Sequence, residues 1–208
     1  MKLVLVALVA GTIVSLPMNA QNPADLPAQV GPTINAPPLS VSEKFDYRIV
    51  QSFGLRGVAG SAFGALIGQA LDSPYEWGQG FEGYADRFAS GFGSNLGRQG
   101  MQFVLETALQ EDPRYFPSKE KGFKKRMKNV LLQTLVTRTD SGGHRFAYAR
   151  IAGAFANGQL VNAWQPASTG SVGDGVTRGL IGLGSDLGYN FLQEFVPFMR
   201  PRTLRHHH

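Results

Sequence analysis

The chain has 208 residues, 43% of them hydrophobic, enough apolar material for one core in one or two domains. It contains no cysteine, which excludes a disulfide framework, thiolate metal sites and a lipid-modified N-terminal cysteine. A formal net charge of +5 is too mild for a nucleic-acid-binding surface and favours an anionic surface as partner.

Residues 1–20 have the layout of a secretory signal peptide: Lys2, an apolar run from Leu3 to Leu16, Pro17, then a small residue at Ala20. The run is short for a spanning helix, which needs about 20 residues. Residues 21–40 carry Pro23, Pro27, Pro32, Pro37 and Pro38 and predict an extended, Pro-rich leader. Residues 41–198 read as a single helical domain, and 199–208 as a basic tail ending in His206, His207 and His208.

Within the domain the spacing predicts an all-α bundle of about five helices. The first, capped by Ser40 or Ser42, should run to Leu71 with Phe45, Ile49, Val50, Phe53 and Val58 on its packed face. The second should run from Glu82 to Leu109 on a stripe of Tyr84, Phe88, Phe92, Leu96 and Phe103. The third should run from near Lys121 to Thr137 and bury Met127, Val130, Leu131, Thr134 and Leu135. The fourth should span Phe146–Trp164 and the fifth Val172–Phe195. Strand alternation is brief, over residues 144–152, where helix spacing fits the longer window better.

Glycine recurs on these helices at offsets of three and four. Gly57, Gly60, Gly64 and Gly68 form one row, Gly93 and Gly97 belong to a second, and Gly175 and Gly179 to a third. Each helical glycine weakens an isolated helix by about 1 kcal/mol relative to alanine. Close helix–helix approach, or self-association, is the expected gain. Charges interleaved in the second and fifth helices argue for amphipathic helices in a soluble or membrane-surface bundle.

Signals for chemistry are sparse. His144 follows Asp140 and Ser141, but triad members normally converge from separated parts of a fold, so hydrolysis is a minor alternative. The glycine runs lack the Gly-Lys-Ser/Thr ending of a phosphate loop, no metal-ligand spacing occurs, and no cofactor is expected. Lys121, Lys124, Lys125 and Lys128 fall on one side of the third helix and could meet an anionic membrane surface. Phe53, Phe63, Phe88, Phe92 and Trp164 could line a site for an apolar ligand between helices.

The segments Asp112-Pro113-Arg114-Tyr115-Phe116 and Thr137-Arg138-Thr139-Asp140-Ser141-Gly142, followed by a small-residue helix ending at Asn162-Ala163-Trp164, carry a resemblance. Over residues 45–197 the chain resembles an uncharacterised family of exported, Gly/Ala-rich helical bacterial proteins. It is loosely similar to glycine-zipper envelope proteins as well. The resemblance implies export and an envelope setting and brings no activity. The expectation is a non-enzymatic envelope protein in the periplasm or at the outer membrane. Its partners would be further copies of itself, an envelope protein or an anionic membrane surface, and not nucleic acid.

Overall fold

The computed structural model describes residues 36–199. The signal-peptide reading, most of the leader and the His-bearing tail lie outside the described residues. The described part is an all-α bundle: α1 (Val41–Phe53), α2 (Leu55–Ala70), α3 (Gly80–Leu109), α4 (Phe123–Leu135), α5 (Tyr148–Val161) and α6 (Val172–Phe195). Short 3-10 turns at Tyr75–Trp77, Ala167–Thr169 and Pro197–Met199 punctuate the connections. A small antiparallel hairpin, β1 (Val136–Arg138) with β2 (His144–Phe146), pairs Thr137 with Arg145.

The predicted first helix is two helices that meet at Gly54. There the chain turns so sharply that a Cβ on Gly54 would lie 2.4 Å from the Val50 carbonyl oxygen, and one on Gly57 would lie 1.8 Å from that of Ser52. Only glycine permits this corner. Ser40 caps α1 and Ser171 caps α6, each in a reciprocal box with the residue three positions on, Glu43 and Asp174. The expected third and fourth helices are shorter than predicted. Their facing ends become the hairpin, because Val136-Thr137-Arg138 pairs with His144-Arg145-Phe146 instead of continuing either helix.

α2 packs on α3, α3 on α5 and α5 on α6, with α1 across α3 and α4 against α6. α5 and α6 come so close that a Cβ on Gly158 would lie 2.1 Å from the Gly175 carbonyl oxygen. The two segments that carry the resemblance form one unit. Asp112 N–H donates to the Arg138 carbonyl at 2.8 Å, and Thr137 Oγ1 donates to the Asp112 carbonyl at 2.8 Å. Arg114 clamps Asp112 and also donates to the Pro37 carbonyl at 2.8 Å, fixing the described end of the leader.

The bundle is polar inside and apolar outside. Among the described residues, nine hydrophobic side chains are buried against twenty-two polar or charged ones. The predicted packed face of α1 is reversed. Phe45, Ile49, Val50 and Phe53, with Val58 of α2, are exposed, while Lys44, Arg48, Gln51 and Ser52 are buried. α3 turns Arg87, Gln99, Gln102 and Glu106 inward and leaves Leu96 and Val104 exposed. α4 buries Asn129, Val130 and Thr134, whereas Leu131 and Leu135, expected inside, are each 49% exposed. A soluble domain normally shows the opposite arrangement, because burying a charge costs far more than burying a methylene.

Candidate functional site

The buried polar groups are organised into paired networks. Arg48 grips Glu106 with two nitrogens and also donates to Gln99 Oε1 at 2.7 Å and Gln102 Oε1 at 2.8 Å. This ties α1 to α3 with a bidentate fork, the strong form of such a pair. Arg56 of α2 and Arg98 of α3 both donate to Asp186 of α6. Arg56 also lies over the Tyr189 ring at 4.1 Å. Arg87 ties the α2–α3 loop together through the Ser73, Pro74 and Gly78 carbonyls.

A second cluster sits where α4 meets the end of α6. Glu194 is fully buried and accepts from Tyr115 Oη at 2.6 Å, Arg126 Nε at 2.8 Å and Ser118 N–H at 3.0 Å. Burial pushes its carboxyl up, but these donors and Asn129 more than offset that, and its pKa lies below the ordinary carboxylate value. Burial and the adjacent Glu194 push the Tyr115 hydroxyl up. The Tyr115-Phe116 segment therefore plugs this end of the bundle.

Exposed charge is unevenly placed, with Glu43 and Asp46 on α1 and the rest toward helix ends and on α4. From Arg87 to Ser118 and from Ala147 to Met199 no charged residue is exposed among the described residues. The α2–α3 end carries exposed Asp72, Glu76, Glu82 and Asp86. Lys121, Lys124, Lys125 and Lys128 are all exposed near the other end, Lys121 just before α4 and the rest on it. Lys125 pairs with Glu120 at 2.9 Å. On the outward face of α4, Lys124 and Lys128 are followed by Leu131 and Leu135, so the face changes from basic to apolar along one helix.

The glycine rows divide. A Cβ on Gly68 would meet Arg87 Cδ at 3.0 Å, on Gly97 Asn157 Oδ1 at 2.8 Å, on Gly175 the Gln159 side chain at 2.5 Å and on Gly179 the Phe155 ring at 2.5 Å. These, with Gly57, lie at close approaches inside the chain. Gly60, Gly64 and Gly93 meet nothing within 4 Å. The buried face of α2 is Gly57, Ser61 and Ala65, and Gly60 and Gly64 lie beside it without a close helix contact inside the chain.

Asp140, Ser141 and His144 each engage a different partner. Asp140 accepts from Lys44 Nζ at 2.6 Å, Ser141 Oγ bonds Thr139 Oγ1 at 2.9 Å, and His144 pairs with Arg138 in the hairpin. Burial and Arg138 lower the His144 pKa. The aromatic set expected to enclose a ligand does not converge on one cavity. Phe53 meets Phe92 edge-on at 5.7 Å, Phe88 stacks on Phe92 at 6.0 Å, and Trp164 donates to Ser90 Oγ at 2.9 Å. Phe63 alone of the five lines the groove between α2 and α6. No helix among the described residues is long and apolar enough to cross a membrane, and no group of three His, Asp or Glu there could hold a metal ion.

Comparison with protein-family models, curated proteins and solved structures found no match.

Proposed function

We propose that this chain is a non-enzymatic protein of the bacterial cell envelope whose bundle rests against membrane lipid. The observation that carries the reading is the outer surface of α2, α3, α5 and α6, which is apolar and free of exposed charge from Arg87 onward on α3 and along all of α5 and α6. Its exposed side chains include Leu66, Ile67, Val104, Val176 and Leu180, between 42% and 62% exposed. Protein partners cover patches, and exposed patches of this kind mark interaction sites. A surface that is apolar over several helices is better matched by acyl chains. Membrane contact then rests on faces assembled from several helices, not on a single span.

Lys121, Lys124, Lys125 and Lys128 would meet anionic head groups, and Leu131 and Leu135 the acyl layer below them. Each lysine near such a surface contributes about 1 kcal/mol, less for Lys125, which already faces Glu120. The envelope setting is supported by the signal-peptide-like start and by the family resemblance. A homo-oligomer built on glycine faces would have to use Gly60, Gly64 and Gly93, because Gly57, Gly97, Gly175 and Gly179 are occupied inside the chain.

Flotation of the purified chain with vesicles tests this. The chain should float with neutral phosphatidylcholine vesicles and more strongly with vesicles containing phosphatidylglycerol. Replacing the four lysines by glutamine should remove the anionic preference and leave neutral binding. High salt should do the same without releasing the chain. A chain that stays at the bottom of the gradient with both vesicle types contradicts the reading.

A further inference from the structure

α2 and α6 flank the α3–α5 layer and leave a groove between them of about 770 Å³. That lies within the usual range for small-molecule sites. Small residues such as Gly57, Ser61, Gly91 and Ala154 keep its floor open, and Leu55 and Phe63 face Ile181 and Leu192 across it. From Arg178 to Leu192 along α6 the groove follows a rise of about 21 Å. Its shape is that of a trough for one extended alkyl chain.

Its charge is one-sided. Arg56, Arg98 and Arg178 line the groove and no carboxylate does. Arg56 and Arg98 share the single carboxylate of Asp186 behind the floor. Arg178 donates to two neutral acceptors, Asn162 Oδ1 and the Thr169 carbonyl. Arg98 Nε is buried without a hydrogen-bond partner. Asp174 lies within electrostatic reach of Arg178, which leaves Arg56 and Arg98, two half-buried cations on one carboxylate, as the excess that favours an added anion.

The geometry points to an anionic amphiphile as the occupant. One long alkyl chain lies between α2 and α6, and a carboxylate or phosphate head is drawn to Arg56 and Arg98. The occupant can enter from solution or from a bilayer, so the inference does not rest on the lipid-facing reading of the outer surface.

Native mass spectrometry of the full chain released from a non-ionic detergent, with oleate and with oleyl alcohol as probes, tests it. Oleate should give a saturable one-to-one complex, and oleyl alcohol should bind at least tenfold more weakly. Gly60→Leu places a side chain in the groove where nothing lies within 4 Å. It should weaken oleate binding at least tenfold while the helical circular dichroism and vesicle flotation stay unchanged. Arg98→Gln should lower oleate affinity without changing that for the alcohol. Absence of a one-to-one oleate complex, equal affinity for oleate and the alcohol, or unchanged oleate binding by Gly60→Leu overturns the proposal. A dimer that Gly60→Leu abolishes, without oleate uptake, would overturn it in favour of a second copy of the chain. Flotation of the same variants reports separately on the outer surface.

Discussion

Asp186→Asn tests the polar interior at its most exposed point of weakness. The substitution keeps size and shape but removes the one charge that Arg56 and Arg98 share. The side chains of Arg56, Arg98 and Asp186 are 21%, 13% and 10% exposed. Removing one partner of a buried ion pair costs about 3–5 kcal/mol, because a charge is left uncompensated. Here two are left side by side, but partial exposure of Arg56 screens them, so the lower end, about 3 kcal/mol, applies. For a chain of this length that lowers Tm by roughly 6–12 °C. Thermal melts followed by circular dichroism in non-ionic detergent measure it, with Asp46→Asn, at an exposed carboxylate of α1, as the comparison. Asp46→Asn should stay within about 0.5 kcal/mol. An Asp186→Asn protein that melts with its parent would mean that water reaches this triad freely, and the polar interior would lose its energetic meaning.

Gly64→Leu should be tolerated, or raise stability by up to about 1 kcal/mol through helix propensity, because its Cβ meets nothing within 4 Å. Gly179→Leu, against the Phe155 ring, should cost about 1–3 kcal/mol or more as an overpacked contact. Comparing the two melts separates the glycines that pack helices from those that do not. Glu194 has a carboxyl pKa held below its ordinary value of 4.5. Its contribution is therefore fully present above that value and is lost as pH falls through the lower, folded-state pKa. Glu194→Gln should flatten the acid limb of a stability–pH profile, and an unchanged limb would assign acid unfolding to other carboxylates. Val176→Lys and Leu180→Lys together, on an exposed apolar face of α6 outside the groove, should leave the helical signal intact and reduce vesicle flotation at least tenfold. Unchanged flotation would place this face away from lipid.

Much of the fold is legible in the sequence because its signals are local. Ser40 with Glu43 and Ser171 with Asp174 announce two helix starts, and α6 occupies its predicted range. The break at Gly54 is hidden because glycine also occurs at 57, 60, 64 and 68 without breaking the helix. The hairpin is missed because each strand is three residues long, so the brief alternation that starts at residue 144 is outweighed by helix spacing in the longer window. Periodicity finds that a helix has two faces but does not say which one faces inward. Arg98 and Asp186 look like solvent-facing charges until α3 and α6 are seen to bring them together. That choice depends on pairing across helices far apart in sequence; it reverses the face read for α1 and moves Leu96 of α3 and Leu131 and Leu135 of α4 to the outside. The groove is equally non-local, since α2 and α6 are joined through α3 and α5.

Contact of the apolar outer face with lipid can be read directly from labelled side chains. The absence of cysteine makes single-site spin labelling straightforward. Labels at Val104, Leu180 and Lys124, in full chain reconstituted into vesicles, would be read for access to oxygen and to a water-soluble nickel complex. High oxygen and low nickel access are expected at Val104 and Leu180, and high nickel access at Lys124. Nickel access at Val104 and Leu180 equal to that at Lys124 would contradict lipid contact.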